Sequence, residues 1–140
     1  MHGFDELAES MAGLLDLYVR WAKQKGLSAN EFFVIYSVFH HGQCAPKTVG
    51  DEWHLPKQTV SFTCKQLADK GWLAFAPDPN DKRGKLLYLT QEGEAAVRPW
   101  LEELAQAERE SEERFGDKKL EKTVQELNRL NEIFSEKLGI

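Results

Sequence analysis

The chain has 140 residues, with 18 Lys and Arg against 23 Asp and Glu, a formal net charge of -5; this length suits one domain or one compact protomer with an oligomerisation arm. An apolar fraction of 41% and a charged fraction of 29% are those of an ordinary soluble globular protein. No uninterrupted apolar run approaches the roughly 20 residues that span a bilayer, and Asp5, Glu6 and Glu9 deny the N-terminal stretch a basic signal-peptide start, so a cytoplasmic location without a membrane partner is expected.

The first predicted element runs from Phe4 to Lys25, where Phe4, Leu7, Met11, Leu14, Tyr18 and Trp21 recur at steps of three and four and mark one stripe of a helix. Gly26 stops it. Ser28 then stands as an N-cap with Glu31 three residues on, a capping box, and Phe32, Ile35, Tyr36, Val38 and Phe39 make the next helix a buried hub that ends at Gly42. Thr48 to Trp53 supplies a short helix with Val49 and Trp53 on one face, and His54 and Leu55 form a turn.

Pro56 is placed in the first turn of the following helix, where a missing N–H costs little. Val60, Cys64, Leu67 and Ala68 recur at helical spacing and leave Lys57, Gln58, Thr59, Ser61, Phe62 and Lys65 on the other faces. Gly71 ends that helix. Trp72 to Phe75 and Leu86 to Leu89 are strand-like runs separated by PDPNDKRGK, whose Pro, Asn, Asp and Gly break regular structure. A helix followed by a hairpin with a basic tip has the shape of a winged helix-turn-helix. Gln91 to about Arg114 forms a long helix with Val97, Leu101, Leu104 and Ala105 inward and Pro99 as a tolerated kink. After Gly116, Leu120, Val124, Leu127, Asn131, Phe134 and Leu138 carry a last stripe, widened by Leu130 and Ile133. The fold class expected is mainly α with a small β-hairpin wing (α+β), built as a winged helix-turn-helix over 27–90 with dimerisation helices over 1–26 and 91–140. Two terminal stripes of this width leave a small winged domain little to cover them with, and a symmetric homodimer is the simplest solution.

Charge is distributed in keeping with that division. Between Gln43 and Thr90 seven Lys and Arg stand against five Asp and Glu, and the remainder carries eleven against eighteen, so a locally basic reader sits on an acidic scaffold. Double-stranded DNA is the partner this implies, with strong salt dependence. Recognition helices present their N-terminal residues to base edges: Gln58 suits adenine, Lys57 and Lys65 guanine or phosphate, Thr59 and Phe62 a thymine methyl, and Ser61 a phosphate. In the hairpin, Arg83 is the candidate for minor-groove insertion, Asp81 the candidate to hold its guanidinium by a charge-assisted pair, and Lys82 and Lys85 phosphate contacts.

Asp78, Pro79, Asn80, Asp81, Lys82, Arg83 and Gly84, followed by Leu89, Thr90, Glu92 and Gly93, resemble the DPxDxRG...LT..G wing signature of the MarR family of bacterial transcriptional regulators. The KGW helix stop at Lys70 to Trp72 and the TVS helix start at Thr59 to Ser61 stand in that family's order and spacing, and the resemblance covers nearly the whole chain. It implies a dimeric winged helix-turn-helix regulator, most simply a repressor, on a pseudo-palindromic operator. It also implies small aromatic anions as effectors, for which Tyr18, Trp21, Phe33, Tyr36 and His40 are the candidate pocket. The family often carries Arg where this chain has Phe62. Thiol switching occurs in some relatives; here Cys64 reads as a small buried hydrophobe and Cys44, beside Pro46 in a loop, as the more exposed candidate. No nucleophile elbow, phosphate-binding glycine loop, HExxH or CxxC is present, and His40 and His41 point about 100° apart on a helix; no enzyme activity, cofactor or metal is expected. The alternative from another class is a winged-helix module that binds protein.

Overall fold

The computed structural model describes residues 2–140, so the first residue of the expected 1–26 segment lies outside them. Nine elements follow one another: α1 (Gly3–Gln24), α2 (Ala29–His41), β1 (Gln43–Cys44), α3 (Pro46–Trp53), α4 (Lys57–Asp69), β2 (Leu73–Asp78), β3 (Asp81–Leu89), α5 (Gln91–Phe115) and α6 (Asp117–Leu138). They form two compact units, one ending at Trp100 and the other spanning Leu101–Ile140. Among the described residues no helix is long and apolar enough to cross a membrane.

In the first unit α2 is the hub. Phe32, Val34, Ile35 and Val38 are fully buried in it, together with Val49 of α3, Val60 and Leu67 of α4, Leu87 of β3 and Val97 of α5. The capping box at its start is formed: the Glu31 N–H donates to Ser28 Oγ at 3.1 Å and the Ser28 N–H to Glu31 Oε1 at 3.0 Å. The second Glu31 oxygen accepts from Lys70 Nζ at 2.7 Å, which ties the start of α2 to the end of α4. Burial opposes ionisation of this carboxyl, but the Lys70 and Ser28 hydrogen bonds and the Lys70 charge together outweigh it and hold the pKa below its ordinary value of 4.5. A carboxylate with a lowered folded-state pKa stabilises the fold fully above its unfolded value and loses that contribution as pH falls through the folded one. Lys70→Ala is therefore expected to cost about 1–2 kcal/mol at neutral pH. Denaturant titrations should show the difference shrinking as pH drops below 4.5; equal losses at neutral and acid pH would exclude the pair as its source.

The sheet has the order β1-β3-β2, all antiparallel. Both hairpin strands run further toward the tip than the breaker residues suggested, because Pro77 pairs with Lys85 on the edge strand β2, where a missing N–H need not interrupt a ladder. A two-residue turn, Pro79–Asn80, and a register shift between Pro77 and Asp78 close it. β1, which pairs Gln43 with Tyr88 and Cys44 with Leu87, has no counterpart among the predicted elements. α3 begins two residues earlier than expected with Pro46 in its first turn, and Pro56 is the N-cap of α4 instead of its first-turn residue.

The hairpin is fastened to the start of α5 through Thr90. Its Oγ1 donates to the Gly71 carbonyl at 2.5 Å and accepts from the Gly93 N–H at 3.0 Å, while its N–H donates to the Trp72 carbonyl at 3.0 Å. On α1 the large apolar residues Leu14, Leu15 and Leu17 are exposed. In the second unit α6 has no buried residue, and Val124, Ile133 and Leu138 are exposed along it. Of the four residues expected inward on α5, Val97, Leu101 and Leu104 are buried and Ala105 is half-buried.

Candidate nucleic-acid interface

α3 and α4 meet at a tight corner. His54 takes the left-handed conformation at φ 53°, and the Leu55 N–H donates to the Gly50 carbonyl at 3.0 Å. A Cβ at Gly50 would meet the Leu55 carbonyl oxygen at 3.1 Å, so the small residue lets the two helices close on each other. α4 buries Val60, Thr63, Cys64 and Leu67, and the Thr63 hydroxyl donates to the Thr59 carbonyl at 2.7 Å. Lys57, Gln58, Ser61, Phe62 and Lys65 are all exposed on the remaining face, whereas Thr59 is half-buried. Phe62 is 64% exposed, too open to serve the core of this unit.

At the hairpin tip Lys82, Arg83 and Lys85 are exposed. The expected Asp81–Arg83 ion pair is not what the structure forms. Asp81 Oδ1 accepts from the Arg83 backbone N–H at 3.0 Å, and the carboxylate lies against Gly84, where a Cβ would meet Asp81 Oδ2 at 3.0 Å and Cγ at 3.1 Å. An aspartate two residues ahead of an N–H closes a local turn more readily than it reaches a long guanidinium. Asp78 repeats the device, accepting from the Asn80 N–H at 2.9 Å. The two carboxylates shape the tip, and the Arg83 side chain is left to project.

Six cations are matched with acids: Arg20 with Asp16, Lys47 with Asp51, Lys70 with Glu31, Arg98 with Glu94, Lys122 with Glu126 and Arg129 with Glu132. Among the described residues no carboxylate lies within ion-pairing distance of Lys57, Lys65, Lys82, Arg83 or Lys85. These five unpaired cations lie on α4 and the hairpin, two elements packed side by side.

A family profile described as MarR family matches residues 25–84, which takes in α2 through the hairpin tip. A solved MarR family regulator from Neisseria meningitidis is 31% identical, covers 99% of this chain and 98% of its own length, and superposes with a TM-score of 0.88. The chain belongs to the MarR family. NadR in complex with 4-hydroxyphenylacetate shares the fold at 18% identity, 93% coverage of both chains and a TM-score of 0.76. BpsR of Bordetella bronchiseptica, described with the regulation of its DNA binding by 6-hydroxynicotinic acid, does so at 21% identity, covering 90% of this chain and 98% of its own, with a TM-score of 0.65. No curated protein sequence matches the chain.

This MarR family member also gathers the residues expected to line an effector pocket. Phe32 is their centre: Tyr18 stacks on it at 5.8 Å, Trp21 meets it edge-on at 6.2 Å, and Phe33 and Tyr36 lie 5.7 and 5.4 Å away. Tyr36 touches His40 at 4.3 Å. Sequence spacing missed Trp53, which arrives from α3, stacks on Phe33 at 4.5 Å and donates its indole N–H to Ser37 Oγ at 2.8 Å. His41, not His40, contacts an acid: its Nε2 lies 3.0 Å from Glu52 Oε2. That hydrogen bond is the main cause of a lowered Glu52 pKa.

Of the two cysteines, Cys64 is buried as expected and Cys44 differs from expectation. Cys44 is no exposed loop thiol; its pairing with Leu87 in β1 leaves it 6% exposed. Burial, with the Glu52 charge behind it, pushes its pKa up to about 11. Cys64 is also buried, and burial raises it to about 11 against the opposing charge of Lys85. At neutral pH thiolate is then present at on the order of one part in ten thousand. Thiol-labelling kinetics should show both cysteines silent in the native protein and reactive after unfolding; rapid native labelling would reinstate a thiol switch.

Proposed function

We propose that this chain acts as a homodimeric, sequence-specific DNA-binding regulator, a repressor on a pseudo-palindromic operator. The observation that carries this reading is the uncompensated cationic surface on α4 and the wing in a chain that is acidic overall. Fixed unpaired cations are what phosphate neutralisation requires, since each one that meets a phosphate releases a counterion. In this reading Lys57, Gln58 and Thr59 at the start of α4 face the major groove, Ser61, Phe62 and Lys65 lie along its edge toward the backbone, and Arg83 enters the minor groove, with Lys82 and Lys85 on phosphates.

The exposed leucines of α1, and separately the apolar residues of α6, support dimerisation through the terminal helices. Two recognition helices then occupy successive major grooves about 34 Å apart. For the effector, the aromatic cluster around Phe32 suits a small aromatic anion of the class that the NadR and BpsR structures name. A ligand that binds one conformation of the dimer better shifts operator affinity by that difference alone. Titrating duplex affinity against salt separates this reading from a protein-binding winged helix. DNA recognition predicts a loss of roughly 10³- to 10⁵-fold between 50 and 200 mM salt, as for a protein making about 6–10 phosphate contacts; weak binding with a flat salt response would favour the protein partner.

A further inference from the structure

Between α4 and the inner face of the hairpin runs an open groove of about 580 Å³, lined by Gln58, Ser61, Phe62, Lys65, Phe75 and Lys85, with Ala68 and Asp69 at its far end. Strand alternation explains the lining. Pro77 pairs with Lys85 and Phe75 with Leu87, so Phe75 and Lys85 share the face on which Leu73 and Leu87 are buried. The Lys85 Nζ stands 4.4 Å from the centre of the Phe75 ring, close enough for a cation–π attraction. Lys85 lines the groove together with Ser61, Phe62 and Lys65 of α4, on the helix side of the hairpin.

A helix lying in a major groove and a hairpin tip lying in the adjacent minor groove must straddle the nucleic-acid strand that divides the two. The groove lies between those two elements, α4 and the hairpin stem. Its chemistry matches such a strand: Lys65, Lys85, Ser61 and Gln58 offer donors, while Phe62 and Phe75 offer two apolar surfaces. Asp69, the carboxylate in the lining, sits at the C-terminal end of α4, so the anion-accepting part is the N-terminal half.

We propose that this groove is a backbone clamp for duplex DNA, in which Lys85, carried on the Phe75 ring, and Lys65 bind phosphate oxygens of one strand while Phe62 and Phe75 pack against its deoxyribose. The proposal rests on the DNA-binding reading above and assigns to Phe62 and Phe75 a sequence-independent role. It accounts for a large exposed aromatic on a helix otherwise polar on that face.

The test uses the full-length dimer, a duplex enriched by the wild-type protein from a random pool, and a scrambled duplex of equal length. Lys85→Gln should weaken both duplexes by a similar factor, roughly 3- to 10-fold at moderate salt, and lower the salt slope by about 0.9 for each phosphate that is no longer neutralised. Phe75→Leu, which keeps an apolar stem but removes the ring, should weaken both with base preference unchanged, whereas Gln58→Ala should alter base preference. Circular dichroism and dimer mass confirm that each variant folds. An unchanged slope in Lys85→Gln, or a weakening confined to the enriched duplex, would overturn the clamp while leaving DNA recognition standing; absence of wild-type binding to any duplex would overturn both.

Discussion

Arg83→Ala is expected to lower affinity for the preferred duplex by about 1–3 kcal/mol per wing, hence at least about tenfold for a dimer, with the dimer and its thermal transition unchanged. The reasoning is geometric. Arg83 is exposed beyond the last turn of the hairpin, and its own backbone N–H, not its guanidinium, is what Asp81 holds. The side chain therefore adds nothing to the packing of the fold and everything to the charge of the tip. A guanidinium inserted in a narrow minor groove sees a strong negative potential and is sensitive to the width of that groove. Two companion variants separate the backbone role of Asp81 from an ion pair. Asp81→Asn keeps an oxygen that can accept the Arg83 N–H and should bind nearly as well as wild type, while Asp81→Ala should lose affinity with the tip loosened. Equal, large losses in both would point to the carboxylate charge instead. Binding isotherms at fixed salt read all three.

Gly93→Ala is expected to be the most damaging single substitution to stability. A Cβ there would lie 2.2 Å from the Trp72 carbonyl oxygen, 2.7 Å from its Cα and 2.8 Å from its carbonyl carbon. All three are backbone atoms of a residue fixed on both sides, since the Trp72 N–H donates to the Leu67 carbonyl at 3.1 Å and its carbonyl accepts from Thr90. No side-chain rotation relieves such a clash; either the hairpin or the start of α5 must move, and the Thr90 bonds to Gly71 and Gly93 are strained with it. A cost of about 3 kcal/mol or more follows from overpacking without a flexible neighbour. Thermal denaturation should show a fall well beyond that of Glu92→Ala next to it. A wild-type melting temperature in Gly93→Ala would mean that the two segments do not touch.

Local patterns in the sequence carried much of this architecture. The stripe from Phe4 to Trp21, the Ser28–Glu31 capping box, the glycines at 26, 42 and 71 with positive φ, and the inward Val60, Cys64 and Leu67 all report interactions within a few residues. Such interactions leave a period or a motif behind. What sequence spacing missed is long-range. β1 is two residues long and cannot show alternation; its effect was to hide Cys44, which Pro46 and the surrounding loop residues made look exposed. Trp53 was placed on the face of a short helix, but its stacking on Phe33 and bond to Ser37 cross from α3 to α2. Gly93 stood out only as a letter in a motif, and its meaning lies in the backbone of Trp72.

For the candidate interface, the polar face of α4 and the basic tip were legible as a group. The role of Asp81 was not, because charge complementarity with Arg83 and a backbone turn make the same demand on residue type. Phe62 is exposed on α4, and the groove it shares with Phe75 and Lys85 gives that ring a physical setting.

The central claim is that α4 and the wing of a symmetric dimer read duplex DNA by sequence. Selection of random duplexes on the purified protein at moderate salt, followed by sequencing, tests it most directly. The account predicts an enriched inverted repeat whose half-sites lie about one helical turn apart, lost or broadened in Gln58→Ala. A dimer that enriches no sequence, or one that enriches a single unrepeated site, would contradict it.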